Sequence, residues 1–176
     1  MVASFLLVGM LSISGVRAVG PTTHFLAIDK WFSTSTSDIT KLCKSYRTEF
    51  EAGAMVPDIT VRFYYTNGGA QYKVTHNWNF VNNVMAQAKD DRERCFAYGI
   101  AIGHEIPDYV SHNLWIPKEI TKYGIKNDVL HPALEGVLEA QVINKYPYVY
   151  GRTQRSLDIL LPNNPKYIHK AFALLW

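Results

Sequence analysis

The chain has little cysteine, no cluster of basic residues and no repeats, and each absence excludes a class of protein. Only two of its 176 residues are cysteine, and neither belongs to a Cys-x-x-Cys or Cys-x-x-His motif, which argues against a thiolate zinc site. The formal net charge is only +3, and no dense Lys/Arg run occurs, so charge gives no support for nucleic-acid binding. Low-complexity tracts and a phosphate-binding glycine loop are also lacking.

The start of the chain has an apolar block, residues 5–13, that is too short to span a bilayer. Val16-Arg17-Ala18 follows it, with small residues at the −3 and −1 positions of a cleavage site. We expect residues 1–18 to be a secretory signal peptide and residues 19–176 to be one secreted or periplasmic domain. Because no Lys or Arg precedes the apolar block, an uncleaved anchor or a buried first helix is the alternative.

Composition and periodicity predict one globular, all-α domain. The sequence is 48% apolar and 19% charged, and apolar residues recur at helical spacing along most of it. Local signals predict helix caps at Asp38 and Asp90-Asp91, a helix end at Gly53 and a helix kink at Pro107. A turn signal at Asn67-Gly68 between strand-like residues indicates a short hairpin or loop near 61–75. Cys43 and Cys95 each lie on an apolar helical face, so the sequence leaves open whether they form a disulfide or two buried thiols.

The chain is organised around a helical run, residues 94–115, that carries His104, Asp108 and His112 at steps of four. On an α-helix these side chains share one face and spread over about 12 Å. Zinc bonds of about 2.0–2.2 Å are too short for one ion to take both histidines, but the two oxygens of Asp108 can bridge two ions. The run therefore predicts a multinuclear site. The alternative is a buried helix whose histidines are merely hydrogen-bonded.

Other candidate ligands are spread over the chain. His24 falls in the first predicted helix, Asp58 follows Pro57 in a predicted turn, and His76 lies at or before the first turn of another helix. Glu135 lies four residues after His131, whereas Glu139 has no histidine partner at helical spacing and is not a candidate. Nitrogen and carboxylate ligands suit zinc. The candidate side chains are His24, Asp58, His76, His104, Asp108, His112, His131 and Glu135.

This order of residues resembles that of the secreted zinc-dependent phospholipases C, including the catalytic domain of glycosylphosphatidylinositol phospholipase D. The resemblance runs from Val19 to about Val142 and is most specific in His104-x3-Asp108-x3-His112 and His131-x3-Glu135. It implies a compact multi-helix fold that holds two to three zinc ions. The implied ligand groups are Val19 (terminal amine and carbonyl) with His24, then Asp58, His76 and His104, then His112, His131 and Glu135, with Asp108 as the bridge.

The resemblance also implies an activity, hydrolysis of a phospholipid phosphodiester by metal-activated water at a membrane or micelle surface. Asp58 and Asp108 are the catalytic candidates, Asp58 as the base or orienter of that water. Trp78, Tyr109 and Trp115 could contact lipid, although core packing is the simpler interpretation. The headgroup and the cleaved side of the phosphate, C or D, remain open.

Two other functions remain open at this point. The single-strand-specific zinc nucleases resemble the same scaffold, but they usually have His-x3-Asp where this chain has Glu135, and they typically begin with Trp-Gly. A non-catalytic, secreted zinc-binding module is the third interpretation. This interpretation rests on the short segment after Glu135, because members of the phospholipase family usually continue with several more helices there. We expect either that residues 165–176 dock onto the core or that the sequence is C-terminally truncated.

Overall fold

A computed structural model describes residues 20–59, 74–124 and 127–163, apart from the side chains of residues 59, 127–132 and 157–163. All regular structure in this part of the chain is helical, which confirms the all-α prediction. The hairpin or loop expected near 61–75 falls almost wholly outside the described residues. The helices are α1 Pro21–Thr34, α2 Asp38–Lys44, α3 Arg47–Ile59, α4 Trp78–Ala86, α5 Asp91–Tyr98, π1 Gly99–Glu105, α6 Ile106–Val110, π2 Ser111–Trp115, α7 Ile116–Tyr123, α8 Asn127–Lys145 and α9 Pro147–Asn163.

The starts of α2, α4 and α5 follow local capping rules. Asp90 caps α5 as predicted, because its carboxylate accepts a hydrogen bond of 2.8 Å from the Glu93 amide. The predicted cap of α2, Asp38, is wrong by one residue. Ser37 takes that role, since its hydroxyl accepts from the Thr40 amide at 3.2 Å.

Helix α3 continues where the sequence predicted an end at Gly53 and a turn at Asp58. Packing of α3 against α5 and π1 explains the difference. A Cβ built on Gly53 would lie 2.0 Å from the Phe96 carbonyl oxygen, and one on Gly99 would lie 1.9 Å from the Phe50 carbonyl oxygen. Gly53 therefore serves close contact between two helix backbones rather than helix termination. Pro57 lies in the last turn of α3, where it removes the amide that would donate to the Gly53 carbonyl.

The five segments from Asp91 to Tyr123 form one continuous central helix, because the junction residues keep right-handed helical dihedrals. Its two π-helical segments, π1 and π2, carry His104 and His112. Where the sequence predicts a kink at Pro107, the structure has a wider, π-helical turn just before it. In this turn the Ile106 amide donates to the Ala101 carbonyl five residues back.

The core lies where α1, α3, α4 and the first half of the central helix meet. A disulfide between Cys43 and Cys95 joins α2 to α5, which decides between the two alternatives that the sequence left open. Among the described helices, none combines the length and the apolar character that a bilayer crossing requires. Fully buried hydrophobic side chains at the centre include Phe25, Ile28, Phe50, Val56 and Ile100.

Candidate metal centre

Two fully buried histidines from different helices stack on each other at the end of the core. The rings of His24 on α1 and His104 on π1 have centroids 4.5 Å apart and are inclined by 15°. Nδ1 of His24 donates to the Gly103 carbonyl at 2.8 Å, and Nδ1 of His104 donates to the Ala54 carbonyl at 3.0 Å. Because a carbonyl oxygen only accepts, each neutral ring carries its hydrogen on Nδ1 and a lone pair on Nε2.

Asp108 faces both of these lone pairs. Its Oδ1 lies 3.5 Å from Nε2 of His24, and its Oδ2 lies 3.5 Å from Nε2 of His104. Neither Nε2 makes a hydrogen bond within the described part of the chain. A lone pair facing a carboxylate oxygen is unfavourable unless a proton or a metal cation lies between them. Two ligand atoms of a tetrahedral zinc ion, each about 2.1 Å from the metal, lie about 3.4 Å apart, so the observed spacing fits zinc.

Asp58 and His76 extend this group on the other side. Asp58, near the end of α3, places Oδ1 3.6 Å from Nε2 of His76 and Oδ2 3.8 Å from Nε2 of His24. The potential ligand atoms of Asp58, His76 and His104 lie within 4.8 Å of one another, and so do those of His24, His104 and Asp108. The two groups share His104. Because only Nε2 of His104 has a free lone pair, this residue can bind an ion in one group or in the other, but not in both.

A histidine and a glutamate form a pair beside these two groups. Nε2 of His112 on π2 is 2.9 Å from Oε1 of Glu135, which is buried on α8. Burial alone would lower the pKa of His112, but the hydrogen bond to Glu135 and the charges of Asp108 and Asp58 outweigh it and raise that pKa. The influence of these two aspartates shows that the pair is close to the cluster.

The electrostatics of the protein alone favour the neutral forms of His104 and Asp58. Burial, reinforced by His24 and His76, lowers the pKa of His104 well below its ordinary value. Burial raises the pKa of Asp58 to about 7, with His24 opposing the shift and Asp108 adding to it. Neutral imidazole is the form that binds a metal, and a cation would stabilise the nearby carboxylates in their charged form.

The structure thus brings most of the sequence-predicted residues together. Val19 lies outside the described residues, as does the side chain of His131, although α8 includes that position. Their ligand roles stay predictions. The residues that meet at the centre are His24, Asp58, His76, His104, Asp108, His112 and Glu135.

Sequence reasoning missed Glu105, a further buried carboxylate next to His104. Its Oε1 has no hydrogen-bond partner among the described residues. Burial, with the charges of Asp108 and Asp58, raises the pKa of Glu105 to about 8. The available signal was its position three residues before Asp108, a spacing that places both on one helix face. The pattern of four-residue steps that joins His104, Asp108 and His112 does not include it.

Helices that enclose stacked histidines and several carboxylates define a class of protein, an all-helical metalloprotein with donors suited to a zinc cluster. The family model described as zinc dependent phospholipase C matches residues 23–169. The chain therefore belongs to this family of zinc-dependent phospholipid hydrolases. The match includes every predicted ligand except Val19. No curated protein and no solved structure matches the chain.

Proposed function

We propose that this chain hydrolyses the phosphodiester bond of phospholipids at a centre of two to three zinc ions. The observation that carries the proposal is the placement of the two Asp108 oxygens, each 3.5 Å from the Nε2 of a buried histidine. The proposed ligand groups are Val19 with His24, then Asp58, His76 and His104, then His112, His131 and Glu135, with Asp108 as the bridge.

Zinc bound there would supply water activation and neutralisation of charge on the phosphoryl oxygens. The residues would have different tasks. Asp108 is nearly buried and directs both oxygens at histidines, so its role is to hold and space the ions. The Asp58 side chain is 22% exposed at the edge of the cluster, so it can orient the attacking water and accept its proton.

Exposed aromatic side chains near the centre support a lipid surface as the substrate. Trp78 is 48% exposed and Tyr109 is 57% exposed, so core packing, the simpler interpretation from sequence, is wrong for both. Trp78 begins α4 two residues after His76, and Tyr109 follows Asp108 directly. Amphipathic rings of this kind suit the boundary between a lipid's headgroup and its chains.

We further propose that the protein acts outside the cytoplasm. The Cys43–Cys95 disulfide supports this, because such bonds persist mainly in oxidising compartments. Removal of residues 1–18 as a signal peptide would then make Val19 the mature terminus. Its amine would join His24 on one ion, since a metal displaces the proton that the amine carries in water.

The proposal is tested by measuring zinc and two activities on one preparation. The purified protein should hold two to three zinc ions per chain and hydrolyse phospholipid micelles. A chelator should abolish this activity, and added zinc should restore it, while single-stranded DNA is cleaved little. Equal or faster DNA cleavage would favour a nuclease instead. Bound zinc without either activity would identify a non-catalytic module and contradict the proposal.

A further inference from the structure

Helix α1 begins without a cap of its own. Gly20 occupies the N-cap position and has no side chain, Pro21 follows it, and the first turn contains no acidic residue. The amides of the first helical turn have no partners within the helix and need acceptors from elsewhere. Pro21 lacks an amide hydrogen, so the Thr22 amide needs an acceptor from elsewhere, and the Thr23 amide has a backbone bond of 3.0 Å to the Gly20 carbonyl.

Glu139 of α8 supplies these acceptors from a distant part of the sequence. Its Oε1 accepts from the Thr22 amide at 2.9 Å, and its Oε2 accepts from the Thr23 amide at 3.0 Å. The Thr23 hydroxyl also donates to Oε2, at 2.7 Å. The carboxylate further complements the positive end of the helix dipole. Both oxygens of Glu139 are therefore committed to the first turn of α1.

The close contact with Glu139 leaves no room for a side chain at position 20. A Cβ built on Gly20 would lie 2.4 Å from Cδ and 2.6 Å from Oε2 of Glu139. Any side chain at this position would displace the carboxylate from the two amides. Gly20 and Glu139 are thus complementary, and together they fix the start of α1 against α8.

The same two helices carry members of the metal centre. His24 follows Gly20 by one turn, and its amide donates to the Gly20 carbonyl at 3.3 Å. Glu135 precedes Glu139 by one turn of α8 and contacts His112 at 2.9 Å. Through Glu135 and Glu139, α8 therefore holds both the centre and the start of α1.

We infer that Glu139 is a positioning residue that fixes the first turn of α1, so that the terminal amine of Val19 can bind the ion held by His24. This inference rests on the proposed role of Val19 as a ligand. Glu139 itself is committed to the first turn of α1 and would not touch the metal. A merely structural cap would affect only stability, whereas a positioning residue also sets the affinity of one ion.

The test compares zinc affinities of mature chains whose first residue, Val19, has been verified by mass spectrometry. Metal-free protein is titrated with zinc against a competing indicator, for the wild type, Glu139→Ala, Glu139→Gln and the control Ser37→Ala. Ser37 caps α2 and lies outside the centre, so its loss should lower the melting temperature and leave zinc affinity unchanged. Glu139→Ala should weaken the weakest zinc step at least tenfold and leave the other steps within twofold. Glu139→Gln keeps one acceptor oxygen, so its zinc affinity at that step should lie between those of the wild type and Glu139→Ala.

Wild-type affinities for every ion in both Glu139 variants would overturn the inference and leave Glu139 as a cap alone. If Glu139→Ala does not fold, Glu139→Gln decides the question by itself. Acetylation of the wild-type terminal amine tests the underlying assignment separately. If acetylation leaves all zinc steps unchanged, the proposed role of Val19 fails and the inference fails with it. If acetylation weakens one step and the Glu139 variants do not, only the inference fails.

Discussion

At the scale of single residues, the hydrogen bond at Nδ1 of each histidine ring determines whether Nε2 can bind a metal. The Gly103 carbonyl fixes the hydrogen of His24 on Nδ1, and the Ala54 carbonyl does the same for His104. Such partners orient metal-binding histidines and select their tautomer. Each carbonyl belongs to another helix than the ring it holds, so the basic nitrogens are aimed by helix packing.

Asp108→Asn tests the shared carboxylate. An amide offers only one ligand oxygen, and its NH2 group would face a histidine Nε2, so the bridge between ions is lost. We expect the variant to lose more than one zinc ion per chain, measured by metal analysis after dialysis. Asp38→Asn, at an exposed residue on α2, is the matched control and should keep the wild-type zinc content. Full zinc content in Asp108→Asn would show that the bridge assignment is wrong.

At the scale of helices, the centre depends on the close approach of α3 and the central helix. A methyl group on Gly99 would collide with the Phe50 carbonyl, whereas one on Gly136 of α8 meets no described atom within 4 Å. We expect Gly99→Ala to lower the free energy of unfolding by about 3 kcal/mol, at the upper end of overpacking costs. Gly136→Ala should be neutral or should stabilise by up to about 1 kcal/mol. Urea denaturation of both variants checks the contrast, and equal effects would refute the packing argument.

The sequence predicted helices, and the spacing of side chains within one helix, better than it predicted contacts between helices. Steps of four along the central helix correctly placed Asp108 beside His104, but no local pattern shows that its other oxygen meets His24 of α1. The turn signal at Pro57 was overridden because Gly53 packs α3 tightly against its neighbour. The sequence gives no sign of the role of Glu139, because its partners lie 116 and 117 residues away. These three features depend on contacts that only helix packing creates.

At the scale of the whole molecule, the centre joins segments that are far apart in the sequence. His24 comes from α1, Asp58 from α3, Asp108 from the central helix and Glu135 from α8. A cation among these side chains would bind the folded chain and not the unfolded one, because only folding assembles the ligands. Metal affinity should therefore appear directly as folding stability.

We therefore expect removal of zinc to destabilise the entire fold. Without a cation, the lone pairs of His24 and His104 face the oxygens of Asp108 at 3.5 Å, an arrangement that unfolding relieves. Each ion held at a free concentration about a thousandfold above its dissociation constant stabilises the folded state by about 4 kcal/mol. Urea denaturation in a zinc buffer and in a chelator should differ by at least this amount, and added zinc should reverse the change. Asp108→Asn, which binds fewer ions, should show a smaller difference, and an unfolding free energy that is the same with and without chelator would contradict a structural role for the metal.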